Sequence, residues 1–276
     1  MNIFHEPKVD SHCHVLDPAR YPYAPDVRYQ PTGQEIGTPE QYLQVMQAYG
    51  IRHALLVGPN SGYGWDNRCM LDTLRRGAGC FRGVAVVRND ITREELKRLK
   101  EAGVVGVAFN ATVLGVEHYL QAGPLLKLLA ELDLFVSMQV EHDQLVALRP
   151  LLEASGVRIV FDHCGRPAAG GGVGQPGFQE LLALARTGRV AVKLSGYQKF
   201  SRQPPPHEDA WPFVRELLDA FTPDACMWAS DWPFLRSPVR LDVGPLLAQF
   251  EELVPNATDR RKILWDTPMA WFGFDR

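Results

Sequence analysis

The sequence is short of the features that would announce a membrane, a nucleic acid or an oxidising compartment. No apolar run approaches the roughly 20 residues that span a bilayer. The start, Met1-Asn2-Ile3-Phe4-His5-Glu6-Pro7-Lys8, lacks the charged-then-apolar order of a secretory leader. No charge of one sign dominates: 29 Lys and Arg stand against 32 Asp and Glu, a formal net charge of −3. Electrostatics therefore gives no ground for a nucleic-acid or acidic-lipid partner. The five cysteines (Cys13, Cys69, Cys80, Cys164 and Cys226) are odd in number and hold no C-x-x-C pair. Three of them sit in strand-like runs, where a free thiol behaves as a small apolar residue, so a reducing, cytoplasmic setting is expected. Internal repeats, coiled-coil heptads and domain linkers are missing too. The glycine run 170–174 is not followed by Gly-Lys-Ser/Thr, which argues against a phosphate cradle and for a plain loop.

What is present is a rhythm. Strand-like runs rich in Val, Ile, Phe and Ala fall at 9–15, 51–57, 81–87, 104–110, 134–140, 158–164, 190–196 and 226–232. Several are apolar nearly throughout, as strands covered on both faces should be. Helix-like segments separate them with legible ends. Thr38-Pro39-Glu40-Gln41 offers an N-cap, a first-turn proline and a capping-box glutamine, and Gly50 stops that helix; Thr92-Arg93-Glu94-Glu95 and Gly103 repeat the logic. Eight alternating units in 276 residues predict one α/β domain over 1–276, a closed (β/α)8 TIM barrel of the usual size, about 250 residues. A doubly wound open sheet is the alternative, but it usually places a glycine-rich turn after the first strand. This chain has Asp17-Pro18-Ala19-Arg20-Tyr21-Pro22-Tyr23 there instead. The loop 16–37 follows the first strand and is expected over the C-terminal mouth, with Tyr21, Tyr23 and Tyr29 able to close it.

In a closed barrel the first and eighth strands are neighbours. His12 and His14, two apart on a strand, point to one face, and Asp231 ends the eighth strand. His163 ends the sixth. All four are thus expected at one mouth, where barrel enzymes do their chemistry. Imidazoles so placed can polarise a carbonyl or ligate a metal, and a carboxylate beside them can act as a general base. The structural alternatives are a helix cap or ion pair for Asp231 and a chance pattern for His-x-His. Weaker mouth candidates are Tyr63 after the second strand, Asn110 after the fourth, Gln139 in the fifth, and Tyr197 and Lys199 after the seventh, all as substrate contacts.

His12-Cys13-His14, Tyr21-Pro22-Tyr23-Ala24-Pro25, Tyr63-Gly64-Trp65-Asp66-Asn67, Asp162-His163-Cys164-Gly165-Arg166-Pro167, Lys193-Leu194-Ser195-Gly196 and Ser230-Asp231-Trp232-Pro233 occur in that order. Together they resemble the amidohydrolase superfamily, in the branch of 2-pyrone-4,6-dicarboxylate lactonase and sugar lactonases, over about residues 8–272. The resemblance implies a distorted barrel that hydrolyses a small-molecule lactone. Asp231 would take a proton from water and return it to the leaving oxygen, while His12, His14 and His163 polarise the carbonyl. It implies no required cofactor. Other superfamily members hold divalent metals with a lysine or glutamate after the fourth strand and a histidine after the fifth. Here those places read Phe109-Asn110-Ala111 and Met138-Gln139-Val140, which disfavours a binuclear site. The fourth strand also lacks the arginines that hold substrate carboxylates in the pyrone dicarboxylate enzyme, so the lactone is expected to carry one carboxylate or none. Two alternatives stand: a mononuclear hydrolase or decarboxylase holding a weakly bound zinc or manganese on His12, His14, His163 and Asp231, and a barrel that has lost catalysis and only binds.

Overall fold

The computed structural model describes residues 2–275. Eight strands run parallel in chain order: β1 Lys8–Cys13, β2 Ile51–Val57, β3 Phe81–Ala85, β4 Val104–Asn110, β5 Phe135–Gln139, β6 Ile159–Phe161, β7 Val190–Leu194 and β8 Cys226–Trp228. Every expected strand is present, several of them trimmed at the C-terminal end where the chain leaves the ladder for the mouth. Helices cross over between them, among them α1 Pro39–Tyr49 and α2 Arg68–Arg76. Thr38 caps α1 in a complete capping box and Gly50 ends it in the left-handed region, at φ 67°. Among the described residues no helix is long and apolar enough to cross a membrane.

The ring closes between β8 and β1 through the chain just beyond β8. Asp231 N–H donates to the His12 carbonyl (2.8 Å), and His14 N–H donates to the Trp232 carbonyl (2.8 Å). Buried Asp10 adds a side-chain clasp, accepting from the Ser230 N–H (2.9 Å), the Ser230 hydroxyl and the Tyr42 hydroxyl on α1 (2.7 Å). This seam is what carries the aspartate to the histidines.

Inside the barrel the side chains form layers. The lower one is apolar: Val9, Leu55, Val84, Phe135, Val160, Ala191 and Met227, plugged from below by Met269, Phe272 and Phe274 of the C-terminal segment. Two residues further along the same inward faces stand Ser137, Asp162 and Lys193, all buried. Strict alternation from Val9 would turn Ser11 and Cys13 inward as well. A register shift between Asp10 and Cys13 resets β1, so Cys13 packs outward in the larger core and His12 lines the cavity.

Candidate active site

The mouth opens into a cavity of about 520 Å³ whose floor and walls include His12, His14, Asp162, Asn110, Gln139, Gln198 and Lys199. A larger groove, about 1260 Å³, runs outside the barrel beside α1 and the 232–242 segment, but no histidine lines it. The chemistry-bearing groups converge on the smaller space.

Asp231 and His163 are buried just behind this lining, in contact with His12, His14 and Lys199. Asp231 Oδ2 meets the Lys199 ammonium at 2.8 Å and accepts from Gln198 Nε2 at 3.3 Å. Its Oδ1 makes no hydrogen bond and faces three imidazole nitrogens: His163 Nε2 at 3.5 Å, His14 Nε2 at 3.7 Å and His12 Nε2 at 3.8 Å. The backbone is bent to achieve this, since Asp231 and His163 both hold positive φ, 62° and 53°. Such strain in non-glycine residues is found where the surroundings over-determine a site. Gly196, at φ 66°, makes room for His163: a Cβ there would fall 2.5 Å from the imidazole Nδ1.

Beneath His12 lies a second carboxylate. Asp162 Oδ1 is 2.7 Å from Lys193 Nζ and accepts from the Ser137 hydroxyl at 2.9 Å. Burial resists ionisation of both aspartates, yet neighbouring cations win. Lys199 and then His163 hold Asp231, and Lys193 and then His12 hold Asp162, well below the usual carboxylate range. Burial, followed by the Lys193 charge, pushes His12 down to about 4, and burial lowers His163 well below an ordinary histidine in spite of Asp231. At neutral pH the site therefore holds two carboxylates beside His12 and His163 in their neutral form.

The sequence-derived contacts divide. Asn110 and Gln139 line the cavity, tied by Thr112, whose hydroxyl donates to Asn110 Oδ1 (2.8 Å) and accepts from Gln139 Nε2 (3.0 Å). Lys199 lines it as well. Tyr63 and Tyr197 do not line it; Tyr63 borders an adjoining cavity that shares Asn60, Ser61, Thr112, Val113 and Arg236 with it, and the placement of Tyr197 at the mouth is corrected. The Tyr63 hydroxyl accepts the Asp17 N–H (2.9 Å) and its ring packs on Tyr23, so it anchors the loop after β1. Tyr197 is sealed in the wall, its hydroxyl donating to the Leu194 carbonyl at 3.2 Å. Tyr21, Tyr23 and Tyr29 pack outside the central cavity; Tyr29 stacks under Arg236, 5.5 Å from its ring centroid. Three wall residues were not singled out from sequence: Gln198, Arg166 and Arg236. Only Arg166 carried a signal, as part of the Asp162-His163-Cys164-Gly165-Arg166-Pro167 motif.

The spacing of the cluster also suits a metal ion. His12, His163 and Asp231 each offer one ligand atom, all within 4.8 Å of one another, and His14 Nε2 is 3.3 Å from His12 Nε2. Ligands about 2.0–2.2 Å from a tetrahedral zinc would stand at comparable separations.

Comparison with known proteins gives the family. Over 96% of its length the chain is 33% identical to the 4-sulfomuconolactone hydrolase of Hydrogenophaga intermedia, covering 88% of that protein. It is 30% identical, over 96% of its length and 89% of the relative's, to the 2-pyrone-4,6-dicarboxylate hydrolase of Comamonas testosteroni. A solved Acinetobacter baumannii protein, described as a probable 2-pyrone-4,6-dicarboxylic acid hydrolase with citric acid bound, superposes with a TM-score of 0.89 at 25% identity, covering 97% of this chain and 99% of that one. The amidohydrolase family model matches residues 9–274, and the chain belongs to that family.

Proposed function

We propose that this protein hydrolyses a lactone carrying one anionic group, without a required metal. The observation that carries the reading is the Asp231 carboxylate, buried, with one oxygen free of hydrogen bonds and aimed at three imidazoles beneath an open cavity. Its lactone-opening relatives support the same chemistry.

In this reading a water between Asp231 and the lactone carbonyl gives its proton to Oδ1 and bonds the carbonyl carbon. The carbonyl electrons move to oxygen, and imidazole N–H groups hold the oxyanion. Collapse breaks the ring C–O bond, and Asp231 returns the proton to the departing oxygen. A neutral imidazole donor placed for an oxyanion contributes about 3–4 kcal/mol. Asp231 is a weak base because Lys199 holds its carboxyl low. The scheme therefore favours lactones whose leaving oxygen is enol-like and needs little push.

The charge count supports one anion on the substrate. Three cations reach the mouth. Arg166 is paired with Glu141 at 3.0 Å and Lys199 with Asp231 at 2.8 Å, which leaves exposed Arg236 uncompensated. The missing arginines of β4 are thus offset from two other walls.

Metal dependence is the second reading, favoured by the ligand-like spacing. The donor set fits it less well than the spacing does. His14 Nδ1 lies 2.8 Å from the Val57 carbonyl, which can only accept, so a neutral His14 offers a lone pair at Nε2. His12 Nδ1 instead faces the Lys193 ammonium. A pH-indicator screen of chelator-treated protein over pyrone carboxylates, muconolactones and aldonolactones tests both points. Turnover without metal is expected. Turnover only after zinc or manganese is restored overturns metal independence, and hydrolysis of no lactone overturns the reaction class.

A further inference from the structure

Lys193 is the one charged residue in β7, an otherwise apolar strand, and it is completely buried. Its Nζ reaches three groups: Asp162 Oδ1 at 2.7 Å, Ser137 Oγ at 3.0 Å and His12 Nδ1 at 3.1 Å. An ammonium has three donors and no acceptor, so three acceptors satisfy it completely. Ser137 spends its own proton on Asp162 and has lone pairs left to receive Lys193. His12 Nδ1 must then accept.

From this geometry we propose that Lys193 fixes the tautomer of His12, so that its Nε2 presents a proton, not a lone pair, to the reacting centre. A neutral imidazole carries one N–H, and with Nδ1 accepting, that proton sits on Nε2. The rival arrangement would have His12 Nδ1–H donate to Asp162 Oδ1, the carboxylate–histidine pairing that raises the basicity of a metal ligand. That contact is 3.3 Å, long for a charge-assisted bond of about 2.7–2.9 Å, and it would aim the third Lys193 proton at another N–H.

His14 completes the argument. With its proton on the Val57 carbonyl, its Nε2 accepts, and His12 Nε2–H lies 3.3 Å away as the donor it needs. The two histidines of one short motif are therefore set in opposite senses by what lies behind them. On the lactone reading above, His12 turns this one Nε2 proton from His14 to the oxyanion as the tetrahedral centre forms. A divalent ion would need the His12 lone pair on Nε2 and would have to break the Lys193 contact to obtain it.

The test is the ring nitrogen and attached-proton NMR spectrum of chelator-treated wild-type protein labelled with 15N-histidine, His12 being assigned by the signals lost in His12→Gln. A protonated Nε2 and a bare Nδ1 are expected; a protonated Nδ1 overturns the proposal. Lys193→Met supplies a second readout, because Nδ1–H then turns to Asp162 and frees Nε2. Zinc affinity, measured by competition with a chromophoric chelator, should tighten at least tenfold, the scale of second-shell effects on metal sites. Unchanged or weaker affinity counts against a tautomer lock. If Lys193→Met does not fold, the wild-type spectrum decides alone. The tautomer is read without substrate, so failure to hydrolyse lactones would leave this result standing, and the reverse holds as well.

Discussion

Two lysine–aspartate pairs flank the same histidines, and they differ in the exposure of the lysine and in how fully the carboxylate is engaged. Lys193 and Asp162 meet at 2.7 Å with 0% and 5% of their side chains exposed; Lys199 and Asp231 meet at 2.8 Å with 19% and 0% exposed. In the deeper pair all three Lys193 donors are engaged and Asp162 Oδ1 serves both Lys193 and Ser137, while Asp162 borders the cavity floor. The upper pair leaves one carboxylate oxygen unpartnered and its lysine on the cavity wall. Equal chemistry thus divides into a foundation and a tool according to whether the lysine is sealed away, as Lys193 is, or lines the cavity, as Lys199 does. Buried ion pairs are weak evidence of stabilisation but costly to break from one side, so the two should respond differently to the same substitution.

Carboxylate-to-amide exchange gives the largest effect. Asp231→Asn keeps the shape and leaves Lys199 with solvent to turn to, so folding should be retained while turnover falls by about 10³-fold, within the range for a general base. Asp162→Asn should do the opposite in kind: stability drops by about 3–5 kcal/mol because Lys193 is left buried and uncompensated. Urea unfolding and steady-state kinetics on both variants decide the matter. An Asp231→Asn protein that retains half its rate would end the base assignment.

That the upper pair could be found from sequence, and the lower one barely, has a physical cause. The places of the strands and the starts of the helices are local, written in runs of Val and Ile and in capping residues such as Thr38 and Thr92, and these read correctly. That His12, His14, His163 and Asp231 meet follows from ring closure, which the count of eight units implies. The β1 register shift that turns His12 inward leaves no mark in composition, because it depends on how β1 pairs with β2. Lys193 did carry a signal, as a lone charge within Val190-Ala191-Val192-Lys193-Leu194, but its partners come from β5, β6 and β1. Arg236 reaches the cavity from the segment after β8, where no periodicity constrains direction.

Lys199 sharpens the contrast at intermediate scale. A charge-assisted hydrogen bond contributes about 1.5–3 kcal/mol, so Lys199→Gln should raise KM for an anionic lactone about 10–100-fold. Removing the ammonium also lifts the Asp231 and His163 values that it now lowers. Both groups then take up protons at higher pH than in the wild type, so the acidic limb of kcat/KM should move upward in pH. A limb that stays in place, with KM unchanged, would make Lys199 a bystander.

Tyr197→Phe should do least, and for that reason it tests how the wall is built. Lys193 and Ser195 face the barrel interior, and continued alternation would bring Tyr197 inward after them, as the sequence suggested. Gly196 at φ 66° breaks the alternation and starts the short turn Tyr197–Lys199. The tyrosine ring goes into the outer core, and Gln198 inherits the inward direction and reaches Asp231. The phenol bonds only the Leu194 carbonyl, so its loss should cost about 1 kcal/mol of stability, the usual net worth of such a bond. kcat and KM should stay within about twofold of wild type, since nothing between the hydroxyl and the cavity depends on it. A large rise in KM would mean that the chain after β7 can rearrange to present Tyr197 to substrate, and the division between wall and mouth would then have to be redrawn at Gly196.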